Sequence, residues 1–159
     1  MIITFKELNE IRKRHQNQKI IFPGGVFDLL HIGHIDYLKE IKKMGDIVVV
    51  AITSDERTRE RKGENRPIHS EDKRLAMIDA VRYVDYSLIA PIIDKSCSNL
   101  SSMLFLMEKL RPEVFVTADP RWVPFKEKIN HLGIDLVMTH STQLDSTSRI
   151  IEKIRKINI

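Results

Sequence analysis

From residue 19 onward, short runs of β-branched and aliphatic residues alternate with segments of helical periodicity, and turn residues separate the two. Few folds accommodate that alternation. Apolar runs buried on both faces suit parallel strands, and parallel strands need helical crossovers, so the pattern predicts an α/β, Rossmann-like, doubly wound sheet. Strands are expected near 19–22, 47–53, 84–89, 114–117 and 136–139. Helices are expected near 34–44, 71–82, 99–110, 124–132 and 147–157. The reading is thus a five-stranded parallel sheet with an extra N-terminal helix over 5–15, in a single domain spanning residues 1–159. End signals support the helices: Gly45 and Gly133 as αL caps, Ser70 before Glu71 and Asp72, and Pro112 past the third of them.

Doubly wound sheets bind ligands beyond the carboxyl ends of their strands. The unusual residues cluster there, in segments 24–34, 54–66, 118–122 and 141–149. The first of these reads Gly24-Gly25-Val26-Phe27-Asp28-Leu29-Leu30-His31-Ile32-Gly33-His34, with two histidines three residues apart where a strand gives way to a helix. Glycines let the backbone turn and approach a ligand, Gly33 keeps the space between the imidazoles open, and a helix start offers N–H groups to an anion. The plainer reading makes His31 a loop residue, His34 a helix cap or surface histidine, and the glycines a turn. Structural zinc is poorly served, because the chain has one cysteine, Cys97, and no second His or Cys cluster.

A chain of 159 residues can bury a sizeable core without staples. Lys6, Glu7, Asn9 and Glu10 interrupt any signal-peptide core, and no apolar run is long enough to span a bilayer, so a cytoplasmic location without membrane contact is expected. The net charge of +4 suits a polyanionic small molecule. A nucleic-acid partner is not expected, since Lys153, Arg155, Lys156 and the basic 57–66 segment come without an aromatic stacking platform.

These residues resemble the cytidylyltransferase-like nucleotidyltransferases over nearly the whole chain. The 25–34 segment looks like that family's first signature, and Asp145-Ser146-Thr147-Ser148-Arg149-Ile150-Ile151 resembles its late Ser-Thr segment. Arg61-Lys62-Gly63-Glu64-Asn65-Arg66-Pro67-Ile68 is similar to a loop of the heptose 1-phosphate adenylyltransferase branch, as is the leading helix. The glycerol 3-phosphate cytidylyltransferase branch is the runner-up; it usually carries an arginine where this chain has Ser141, Thr142 and Gln143. Class I aminoacyl-tRNA synthetases share the His-any-Gly-His tetrapeptide but are much longer and carry a Lys-rich signature and tRNA-binding domains. Two departures stand out: Thr117-Ala118-Asp119-Pro120-Arg121 replaces a Gly-Gly-Asp run, and Asp145 places an acid just before Ser146.

The resemblance implies transfer of a nucleotidyl group from a nucleoside triphosphate, ATP or CTP, to a phosphorylated small molecule, with magnesium accompanying the triphosphate and a homodimer as the assembly. In that reaction His31 and His34 would donate hydrogen bonds to the phosphates, and Lys62, on a closing loop, would bridge the α-phosphate and the incoming phosphate. Gly24, Gly25, Val26, Phe27, Asp28 and Gly33 would line the nucleotide site, with Asp28 orienting the loop or holding the ion's water shell. Ser146, Thr147 and Arg149 would meet the β- or γ-phosphate. Asp119, with Trp122, would lie near the base or form an ordinary turn. Arg66 and Arg74 would bind the acceptor phosphate or pair with Asp55 and Glu71. The other class of reading is a non-catalytic nucleotide-binding module, for which Ala118, Pro120 and Asp145 speak.

Overall fold

The computed structural model describes residues 1–93, 99–139 and 146–157. Cys97, Ser141, Thr142, Gln143 and Asp145 lie outside the described residues. Five strands, β1 (Ile20–Gly25), β2 (Ile47–Ile52), β3 (Tyr86–Ile89), β4 (Val114–Thr117) and β5 (Asp135–Met138), form one sheet in the order β3-β2-β1-β4-β5. Every pairing is parallel. The helices are α1 (Leu8–Arg14), α2 (Ile32–Lys42), α3 (Asp55–Lys62), α4 (Glu71–Asp79), α5 (Asn99–Leu110), α6 (Lys126–His131) and α7 (Thr147–Ile157).

Alternation along the central strand divides the core. Ile20 and Phe22 pack on one face with Leu8, Ile11, Leu106 and Leu110, from α1 and α5. Ile21 packs on the other with Leu38, Ile41, Leu75 and Ile78, from α2 and α4. Winding reverses between β1 and β4, which are neighbours in space although β2 and β3 come between them in sequence. A crevice at such a switch point is where ligands bind in this class of sheet.

The expected doubly wound architecture holds, and the differences from it are local. Strand β1 runs on to Gly25 through Pro23, which pairs with Val116. Proline removes one ladder donor, but the strand is pinned beyond it, where Thr53 N donates to Gly25 O at 2.9 Å. Gly24 and Gly25 are therefore strand residues and not a turn. The stretch expected as a loop after β2 contains α3. It lacks an apolar stripe, and only Arg57 and Thr58 are buried. Its ends carry it instead: Ser54 caps the Arg57 N–H, Asp55 and Glu56 lie in the first turn, and Arg59, Arg61 and Lys62 lie in the last. The helix expected over 124–132 begins as 3-10 turns over Pro120–Phe125, with α-helix only from Lys126, because Pro124 cannot donate to an α ladder.

Gly133 has the expected αL backbone at φ 75°, whereas Gly45 does not have positive φ. Gly45 is required for close approach: a Cβ there would lie 2.8 Å from the Ile21 side chain and 2.8 Å from the Lys19 carbonyl oxygen. Because the carbonyl belongs to the chain entering β1, the strain cannot relax through a side chain. Gly45→Ala is expected to cost about 1–3 kcal/mol, as overpacking does, measurable as a shift in chemical-denaturation midpoint.

Candidate active site

Two adjoining cavities open at the carboxyl ends of β1 and β4. One, of about 290 Å³, is lined by residues from Gly24 to Phe27, by His31, Gly33, His34 and Tyr37, by Lys62 and by Ser146, Thr147 and Ser148. The other, of about 440 Å³, is lined by Thr53, Arg61, Met103, Phe115 and the segment from Thr117 to Trp122. Gly24, Gly25 and Ala118 belong to both walls. Adjacent residues at the end of α3 thus serve different cavities, Arg61 the larger and Lys62 the smaller.

The His31 and His34 rings do not stand apart across Gly33: they stack, with centroids 3.8 Å apart and planes at 25°. His31 is the N-cap position of α2 and His34 lies in its first turn. Burial, and then the charges of His31 and Lys62, bring the His34 pKa down to about 4. At neutral pH its imidazole is uncharged and has one N–H to donate. Partial burial, and then Arg61 and Arg66, bring Lys62 down to about 8, so it remains mostly cationic at neutral pH. The N-terminus of α7 completes the wall. Arg149 N donates to the Ser146 hydroxyl at 3.2 Å, and Thr147 lies at the first helical position.

A model of the family described as cytidylyltransferase-like matches residues 22–156, taking in both cavities' strands and α7. The chain belongs to this family of nucleotidyltransferases. The bifunctional protein HldE of Campylobacter jejuni is 34% identical over 157 residues, which is 96% of this chain but 31% of that protein. HldE of Syntrophotalea carbinolica is 30% identical over 95% of this chain and 30% of its own length. The chain therefore spans about a third of the length of these curated relatives. Among solved structures, a lipopolysaccharide core biosynthesis protein from Thermoplasma volcanium matches with a TM-score of 0.64 at 32% identity, over 80% of this chain and 99% of that one. A pantothenate synthetase from Thermus thermophilus matches with a TM-score of 0.67 at 13% identity, over 98% of this chain and 70% of that one, a likeness of fold.

Within this cytidylyltransferase-like site, several expected ligand contacts turn out to be supports. Asp28 is 1% exposed, and its carboxylate accepts from Ile68 N, His69 N and Arg66 Nε at 2.9 to 3.1 Å. Burial alone would raise its pKa; those donors outweigh burial and hold it below the ordinary carboxylate range. Arg66 gives its Nε to this pair and lines neither cavity, while its Nη2 is buried without a hydrogen-bond partner among the described residues. Arg74, also expected at the acceptor, is fully buried: Nε donates to His69 O, one terminal nitrogen to Val26 O, and the other to Thr53 O and Asp55 Oδ1. It pairs with Asp55; Glu71 instead accepts from Asp55 N at 2.6 Å. Thr147 donates its hydroxyl to Asp28 O at 2.6 Å, so its remaining offer to a phosphate is its backbone N–H. Lys62 sits at a helix end beside Gly63, not on a long loop. Asp119 lines the larger cavity, away from the histidines, where hydrogen bonds from Arg121 lower its pKa. Arg149 is exposed on α7, and Ser148 lines the cavity beside it.

Tyr37, Arg61 and Arg121 were not legible as site residues. Tyr37 follows His34 by three positions on α2, a spacing that puts both on one helix face; its hydroxyl donates to Val116 O at 3.2 Å, and burial raises its pKa. Arg61 and Arg121 meet only through Asp119, at separations of 58 and two residues.

The role of Arg74 is directly measurable. Arg74→Ala removes the donor to three carbonyls, two of them buried, and the partner of the Asp55 carboxylate, and is expected to destabilise the fold by about 3 kcal/mol, as breaking a buried ion pair does. Unchanged thermal stability with a raised acceptor KM would return Arg74 to the acceptor site.

Proposed function

We propose that this chain transfers a nucleotidyl group from a nucleoside triphosphate, ATP in first place, to a sugar 1-phosphate such as heptose 1-phosphate, releasing pyrophosphate. The observation that carries the reading is the convergence of His31, His34, Lys62 and the N-terminus of α7 on one cavity at the sheet's switch point. A polyphosphate fits that chemistry: N–H donors, a lysine cation and a helix N-terminus all favour negative charge. The sugar acceptor is favoured by the 61–68 segment and by a 32%-identical relative described as a lipopolysaccharide core biosynthesis protein.

The acceptor phosphate oxygen is already ionised at neutral pH, so the reaction needs no general base. That oxygen bonds to the α-phosphorus while the bond from the α-phosphorus to the pyrophosphate oxygen breaks, and no proton has to move. Positioning and charge do the rest. His31 and His34 donate to the α-phosphate as charge develops, Lys62 spans the α-phosphate and the incoming phosphate, and the α7 N–H groups with Ser146 hold the departing phosphates. Magnesium arrives with the triphosphate as part of the substrate and offsets its charge.

Pyrophosphate release from ATP and from CTP, each with magnesium, against heptose 1-phosphate, glycerol 3-phosphate, FMN and phosphopantetheine tests the reading. ATP with heptose 1-phosphate is the expected pair. CTP with glycerol 3-phosphate would replace it by the cytidylyltransferase branch, and nucleotide binding without release by a binding module. His34→Ala is expected to lower kcat by ~10²-fold with the fold intact, the loss typical of one transition-state donor.

Lys62 contributes its charge below its pKa and loses it as pH rises, so kcat/KM should fall above about pH 8. Lys62→Arg should carry that alkaline limb upward. The imidazole of His34, followed by NMR, should titrate near pH 4 and show no midpoint at 6.5.

A further inference from the structure

The last turn of α3 brings Lys62 to the smaller cavity, and no buried apolar residue holds that turn in place. The helix buries only Arg57 and Thr58, both in its first half, and its start is fixed by the Ser54 cap and the Asp55 pair with Arg74. From Arg59 to Gly63 every residue is exposed. A helix end without core contacts takes its position from polar tethers, and two of them flank Lys62. One residue before it, Arg61 donates to Asp119 Oδ2 at 3.1 Å across 58 positions of sequence. Four residues after it, Arg66 is tied to Asp28, and Arg66 N closes the intervening turn on Gly63 O at 3.0 Å.

Asp119 is itself joined firmly to the sheet. Its N–H donates to Thr117 Oγ1, at the end of β4, at 3.1 Å, and its Oδ1 accepts from Arg121 N at 3.1 Å as the cap of the 3-10 turns that follow. The Arg121 guanidinium also donates to the carboxylate, with a shortest contact of 2.5 Å, so its oxygens are oriented from within their own segment. Resting on the proposed transfer, we infer that Asp119 is a positioning residue for Lys62: through Arg61 it holds the last turn of α3 so that the Lys62 ammonium reaches the phosphates in the smaller cavity. Successive side chains on a helix project about 100° apart, which is how Arg61 faces the larger cavity and Lys62 the smaller; a turn of the helix end that frees one displaces the other. Lysine is a point charge on a flexible stem, so its placement depends on where its backbone is held. This role is the same whichever part of a ligand fills the larger cavity.

The Arg61–Asp119 pair is partly exposed, with side-chain exposures of 35% and 23%, and such pairs contribute little to global stability, so Asp119→Asn should keep its Tm. With the nucleotide and acceptor that turn over, Asp119→Asn and Arg61→Gln should each lower kcat by roughly tenfold, the scale of a slight misplacement of one catalytic group, and the two together by no more than either alone. Arg61→Lys, which keeps a cation for Asp119, should retain most of the rate. In a Lys62→Ala background, Asp119→Asn should lower kcat no further. A raised KM at unchanged kcat, or losses that multiply with that of Lys62→Ala, would make Asp119 a ligand contact and overturn the inference. A second measurement needs no turnover. The Lys62 ε-methylene, followed by NMR in the free protein, should titrate near pH 8 in the wild type, where partial burial and the cations Arg61, Arg66 and Arg74 outweigh Asp28. Asp119→Asn should carry that midpoint up toward the ordinary lysine value as Lys62 moves into water, whereas loss of a negative charge without movement would lower it or leave it in place. An unmoved or lowered midpoint overturns the positioning role and leaves the transfer reaction standing. A raised midpoint in a chain that transfers no nucleotide removes the reaction and leaves the tether.

Discussion

The buried carboxylate of Asp28 ties together the parts on which the site depends. It sits between Phe27 and Leu29, both at positive φ, 52° and 48°, a backbone that costs on the order of 1–3 kcal/mol per residue unless its surroundings over-determine it. The surroundings do so: Ile68 N, His69 N and Arg66 hold the carboxylate, and the Thr147 hydroxyl holds the carbonyl oxygen. Three segments far apart in sequence, around Asp28, Arg66 to His69 and Thr147, are joined at one residue. The histidines at the start of α2, the arm running from α3 to α4, and the first turn of α7 all take their places from it.

Arg74 provides a second tie on the same side of the sheet. Its guanidinium reaches carbonyls at the ends of β1 and β2 and the Asp55 carboxylate at the start of α3. With Asp28 and Arg74 both consumed internally, the charges left facing the smaller cavity are dominated by Lys62, set against uncharged His34. The outcome is a cleft with donors on several sides and no nearby carboxylate competing for a polyphosphate among its described lining residues. In the adjoining cavity the balance differs, because Asp119 neutralises part of the Arg61 and Arg121 charge. The two cavities that share a glycine wall therefore present different charge.

The strands and most helices were legible because apolar periodicity is a local signal, and α5 and α7 carry it at the expected bounds. Helix α3 was not legible for the same reason: Asp55–Lys62 has no apolar stripe, and its stability comes from end charges and a cap. Pro23 hid the end of β1, since a residue without an N–H reads as the end of a central strand. The motif residues His31, Gly33, His34, Lys62, Ser146 and Thr147 were visible as a set, and they line one cavity. Arg66 and Arg74 were visible only as basic residues near a phosphate motif, and whether a buried arginine meets a ligand or a carbonyl depends on partners dozens of residues away.

The sequence by itself determined the class of sheet, the side of it on which chemistry would lie, and the residue types that a phosphate-transfer site needs, because each is encoded in spacing over a few residues. The tertiary structure alone decided which charges are spent on the protein and which remain for a ligand. That partition rests on contacts such as Asp28 with Ile68, Arg74 with Val26, and Asp119 with Arg61, which span 40 to 58 residues and exist only once the sheet has brought its strand ends together.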